Sequence, residues 1–94
     1  LIEDKNYGYI VNVNDQVNLS YKNITKIKVK FNQINGDFLC NNNKLISLEG
    51  CPNIVDGNFF CNNNELISLK YAPKIVNKNF NCSSNKLITL KRKS

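Results

Sequence analysis

The chain has 94 residues, a formal net charge of +6 and no histidine. That length suits one domain better than two. A hydrophobic content of 41% argues against bulk disorder, and no run approaches the roughly 18 consecutive apolar residues of a membrane helix.

Residues 1–12 (LIEDKNYGYIVN) differ in pattern from the rest of the chain. Asn6-Tyr7-Gly8 reads as a turn between two short extended runs, which predicts an N-terminal β-hairpin cap over residues 1–12. No signal-peptide pattern is present. The chain starts at Leu1 and contains no Met, so it is expected to be processed or to be part of a longer protein.

From residue 13 onward the chain repeats. Phe38, Phe59 and Phe80 are 21 residues apart, as are Cys40, Cys61 and Cys82, Asn43, Asn64 and Asn85, and Leu48, Leu69 and Leu90. Aligning residues 34–54 with 55–75 without gaps gives 12 identities in 21. A fixed period this dense is the mark of a solenoid. Residues 13–33 form a degenerate first coil, with Val17, Leu19, Ile24 and Ile27 at the Phe, Cys and two Leu positions and Lys22 in place of the asparagine. Coils 34–54, 55–75 and 76–94 complete the chain.

Alternation along a strand turns Phe38 and Cys40 to one side, and Asp37, Leu39 and Asn41 to the other. Stacked coils lie ~4.8 Å apart, so equivalent side chains form columns. Cysteine is a small, commonly buried filler, so the Cys column reads as core beside the Phe and Leu columns. Asn43, Asn64 and Asn85 lie where the chain leaves the strand. An inward amide there can hold backbone groups of its own and the next coil, as a ladder. Asn42 and Asn63 suit a left-handed turn residue.

Each coil is written Φ-x-C-x-x-N-x-L-x-x-L with about ten residues of connection. This resembles the leucine-rich repeat family, over residues 17–90. Connections such as Pro52-Asn53-Ile54 and Pro73-Lys74-Ile75 show no helical periodicity, which is similar to the short bacterial and phage members of that family. Short Asn-rich repeats of this kind also resemble those of phage and large-virus proteins. The resemblance implies a mainly β solenoid, with a parallel sheet on a concave face and an extended, non-helical convex side. It implies a non-enzymatic protein-interaction module, cytoplasmic in a host cell or virion-associated. The alternatives are a structural component of a virion or other large assembly, and a basic nucleic-acid-associated protein.

The chemistry-bearing residues are read the same way. Cys40, Cys61 and Cys82 lack the histidines, C-x-x-C pairs or inward carboxylates of a metal site, so three reduced, buried thiols are expected. Cys51 falls opposite Lys30 and Ala72 and is expected to be more accessible. Without histidine there is no ordinary base for a cysteine nucleophile, and no two of the seven carboxylates face each other on neighbouring coils. No catalytic residue, cofactor or metal is expected.

A partner is expected on the outward strand face. Leu39 and Phe60 are its adjacent apolar positions, with Asn41, Asn62, Asn58 and Asn81 around them. The open C-terminal solenoid end is expected either to be blunted by the charged tail or, in the favoured reading, to be covered by another chain or a further domain, in a larger assembly or by self-association as a dimer. The lysines are dispersed, with one dense run at Lys91-Arg92-Lys93. A solvated basic surface is expected there, with nucleic acid as the less favoured partner.

Overall fold

β-branched and aromatic pairs recur every 21 residues, and each pair forms a short strand. The structure, a computed structural model, describes residues 2–4 and 8–88. Residues 6 and 7 of the expected turn, Leu90 and the basic run at residues 91–93 lie outside the described residues.

Among the described residues there are nine strands and no helix. They are β1 (Ile2–Asp4), β2 (Gly8–Val13), β3 (Val17–Asn18), β4 (Lys30–Ile34), β5 (Phe38–Leu39), β6 (Ile54–Val55), β7 (Phe59–Phe60), β8 (Ile75–Val76) and β9 (Phe80–Asn81). Two sheets result. One has the order β1-β2-β4-β6-β8 and the other β3-β5-β7-β9. β1 runs antiparallel to β2, and every other pairing is parallel. The path from β3 to β9 therefore makes three full turns of a β-solenoid. We call the coils carrying β3, β5, β7 and β9 the first to the fourth.

The pairing keeps the period of the sequence. Phe38 pairs with Phe59 and Phe59 with Phe80, while Ile34 pairs with Val55 and Val55 with Val76. The connection between coils was expected to be extended and non-helical, and among the described residues it is. It also carries a second parallel sheet, because Ile54-Val55 and Ile75-Val76 stack in register on Gln33-Ile34.

The core lies between the two sheets. Ile34, Phe38, Cys40, Leu45, Leu48, Val55, Phe59, Cys61 and Leu66 are fully enclosed. Phe38 and Phe59 stack with ring centroids 5.8 Å apart, and Phe31 meets Phe38 edge-on at 5.2 Å. Burying such a side chain is worth roughly 1.5–3 kcal/mol, so the middle two coils hold most of the stabilising burial. The fourth coil is thinner cover. Phe80 is 40% exposed where its equivalent Phe59 is 0% exposed, because no further coil lies over it among the described residues.

Two corrections to the sequence reading concern cysteine. Cys51 is fully buried, since its turn folds inward: Cys51 N–H donates to Leu48 O at 2.9 Å, and its carbonyl accepts from Lys30 Nζ at 2.8 Å. Cys82 is only half-buried, for the same reason as Phe80. All four thiols are free.

Turns close the coils at two repeating positions. Tyr21, Asn42, Asn63 and Ser84 have φ between 54° and 57°, an equivalent left-handed residue in each coil, and the first coil adds Asn23 at φ 56°. Gly50 and Tyr71 form a second such pair, at φ 98° and 72°.

Candidate interaction surface

The face of the β3-β5-β7-β9 sheet is built by register. Asn18, Leu39, Phe60 and Asn81 are successive partners across it. Leu39 and Phe60 are half-buried neighbours at its centre, while Asn18 at the N-terminal edge is exposed. Their other faces carry Phe38 and Phe59 into the core, so one two-residue strand supplies both a core ring and a surface side chain.

The surrounding amides are placed differently from one another. Asn58 is not free to meet a partner: its Nδ2 and backbone N–H both donate to Asp37 Oδ1, at 3.2 and 2.8 Å, and its Oδ1 accepts from Asn79 N–H at 3.0 Å. It binds three coils together. Asn41 Nδ2 donates to Asn42 Oδ1 at 2.7 Å, and Asn81 Oδ1 accepts from Ser83 N–H at 3.0 Å. Asn62 makes no side-chain hydrogen bond among the described residues, and it stands beside Phe60. The adjoining apolar pair and Asn62 are thus the part of the expected surface left for a partner.

Amide ladders run through the rest of the solenoid. Asn43, Asn64 and Asn85 each hold their own coil and the preceding one, not the following one. Asn64 Nδ2 donates to Cys40 O, Cys61 O and Asn62 O, and its Oδ1 accepts from Leu45 N–H at 3.0 Å. Asn85 repeats the pattern on Cys61, Cys82, Ser83 and Leu66. A second, outer ladder joins Asn53 to Asn32 and Asn32 to Asn12. No buried side-chain nitrogen or oxygen among the described residues lacks a partner.

Burial pushes the Cys51 thiol well above its usual range, with Cys40, in hydrogen-bond contact, adding to the effect. Burial raises Cys61 as well, with Cys40 and Cys82 nearby. Such thiols are poor nucleophiles. Among the described residues no group of three or more histidine, cysteine or acidic side chains is arranged to hold a metal, and no helix is long and apolar enough to cross a membrane.

One apolar column escaped the sequence reading. Ile46, Ile67 and Ile88 are 65%, 54% and 76% exposed and stand 21 residues apart. Their regular spacing was the available signal. They flank Leu45, Leu66 and Leu87, and only one of two adjacent apolar residues can face inward in extended chain.

Compared with protein-family models, with curated proteins and with solved structures, the chain gives no match.

Proposed function

We propose that the chain is a non-enzymatic protein-interaction module of leucine-rich-repeat type, with its contact centred on Leu39 and Phe60. One observation carries this reading. Two apolar side chains are register partners at the centre of a sheet face that is mostly amide and hydroxyl, with Asp37 as its carboxylate. An apolar centre with a polar surround is the usual anatomy of a contact patch. The test is Phe60→Ala in an affinity purification from the native source, with thermal unfolding measured in parallel. Loss of a partner with little change in unfolding midpoint supports the contact. An unchanged set of partners, with a lowered midpoint, assigns Phe60 to packing and ends the reading.

A second reading, a structural component of an assembly, draws on the fourth coil. Phe80 and Leu87 are exposed and Val76 is half-buried, where the equivalent Phe59, Leu66 and Val55 are sealed. Concentration-dependent self-association, abolished by Phe80→Ser but not by Phe60→Ala, would favour it.

A further inference from the structure

Asn35-Gly36 is the only Asn-Gly step among the 19 asparagines of the chain. It forms a bend between β4 and β5, where the chain crosses from one sheet to the other. Packing fixes the glycine, since a Cβ on Gly36 would lie 2.8 Å from Gln16 N in the first coil. Glycine also leaves its own backbone nitrogen unshielded, with no side chain beside it. An asparagine before such a residue is placed to react with the backbone that follows it.

The same level of the stack in later coils sets Asn35 apart. Gly57 N–H donates to Gly36 O at 2.9 Å, and Lys78 N–H donates to Gly57 O at 3.2 Å. The corresponding Gly36 N–H makes no hydrogen bond among the described residues. The β2–β4 pairing shifts register between Val11 and Val13, just before this level, and the later pairings of that sheet keep theirs. Gly36 is half-buried, whereas Gly57 is buried. One nitrogen is therefore open to react where its equivalents are held.

The side chain of Asn35 is exposed. Its Oδ1 accepts from Gln33 Nε2 at 3.2 Å, which draws electron density from Cγ, and its Nδ2 donates to Asn14 Oδ1 at 2.8 Å.

We propose that Asn35 is a site of self-modification: it deamidates in the folded chain, and the product loosens the stack between the first and second coils. Gly36 N gives up its proton to solvent base and attacks Asn35 Cγ. The new N–Cγ bond closes a succinimide ring, the Cγ–Nδ2 bond breaks, and Nδ2 leaves as ammonia with a proton taken from solvent. Water then opens the ring at either carbonyl, giving aspartate or isoaspartate at position 35.

Both products disturb the same level. Aspartate has no donor for Asn14 Oδ1, and its charge falls in the column that holds Asp56 one coil later. Isoaspartate carries the main chain through one extra methylene. That displaces Asn35 N–H from Val13 O and Gly36 O from Gly57 N–H, each paired at 2.9 Å.

The experiment uses the full chain and the Asp56→Asn variant, which sets an equivalent Asn-Gly step one coil later, where the glycine N–H is held. Position 56 is exposed and its Oδ1 accepts from Asn77 Nδ2, a bond an amide oxygen also makes, so the variant keeps the fold. Both proteins are incubated in mildly alkaline buffer, folded and in urea. Peptide mapping with fragment ions locates the amide-to-acid mass change, and isoaspartyl methyltransferase labelling measures isoaspartate. In the folded variant, position 35 is expected to convert about fivefold or more faster than position 56, the factor that one hydrogen bond on the attacking nitrogen gives. In urea the two rates should converge. As position 35 converts, hydrogen exchange at the Gly57 amide should quicken. Equal rates in the folded variant overturn the proposal, as does an Asn35 that stays intact while the urea-unfolded chain converts. A rate difference that persists in urea assigns it to neighbouring residues and overturns the proposal too. Unchanged Gly57 exchange in the converted chain overturns the loosening.

Discussion

Asn64 Nδ2 donates to the carbonyl of Cys40, 24 residues earlier, at 3.0 Å. The same nitrogen reaches Cys61 O in its own coil at 3.1 Å. One amide thus spans two coils where the chain turns and cannot pair with itself. Every rung reaches toward the N-terminus, since Asn43 holds Leu19 O and Asn85 holds Cys61 O. The first coil has no described coil before it and needs no rung, which gives Lys22 a physical explanation: its backbone N–H is held by Asn43 Oδ1 at 2.9 Å, and its side chain is exposed.

Removing a rung should cost most where it is most buried. Asn64→Ala leaves the Leu45 N–H without its acceptor in a dry interior, an expected loss of about 2–4 kcal/mol. Asn85→Ala, in the half-covered fourth coil, should cost about half as much or less. Urea unfolding of the two variants checks the order. Equal losses would show that the ladder is not graded by burial.

The second turn column gives a contrast of sign. Gly50 has φ 98°, and a Cβ there would lie 2.7 Å from Val29 O and 3.0 Å from Ile27 O. Gly50→Ala should therefore destabilise by about 2 kcal/mol or more. Tyr71, at the equivalent position, holds φ 72° with a full side chain. Relief of that strain is partly offset by the flexibility that glycine adds to the unfolded chain and by loss of the Lys70–Tyr71 ring contact. Tyr71→Gly should thus raise stability by up to ~1 kcal/mol. Paired thermal melts decide both, and a destabilised Tyr71→Gly would place packing above backbone strain.

Much of this architecture can be read from period alone. The Phe, Cys and Leu columns, the left-handed Asn42 and Asn63 and the inward Asn43, Asn64 and Asn85 all follow from a 21-residue spacing and the geometry of stacked strands. What escaped has physical reasons. Strands of two residues, such as Ile54–Val55, are too short to show alternation, so the second sheet was hidden in a connection. Cys51 shares its column with Lys30 and Ala72, a mixture that carries no burial signal. Asn58 looked outward by strand parity, but Asp37 one coil earlier offers an acceptor, and the amide turns to it. The Leu39–Phe60 pair was legible because both lie one residue after a core phenylalanine.

Thiol accessibility separates the core cysteines from the end of the stack. Cys40, Cys51 and Cys61 are fully buried and Cys82 is half-buried. Under native conditions a maleimide should modify Cys82 first and the other three only through opening of the fold. Peptide mapping by mass spectrometry checks the order. Early modification of Cys51 would contradict its inward-folded turn.

Alkaline pH should weaken the fold through the same core. Burial raises the thiol pKa of Cys51 and Cys61 in the native state, while an unfolded cysteine titrates near ~8.5. Below that value both states hold the proton, and the thiols' contribution is fully present. Above it the unfolded chain releases the proton and the native chain retains it, so stability falls as pH rises toward the raised native values. The slope approaches roughly 1.4 kcal/mol per pH unit for each thiol. Urea unfolding at about pH 8 and about pH 10 measures the loss. In Cys51→Ala and Cys61→Ala the loss between the two should be smaller than in the unmodified chain, even though each variant starts from lower stability. An identical loss in all three would show that other groups govern the alkaline transition.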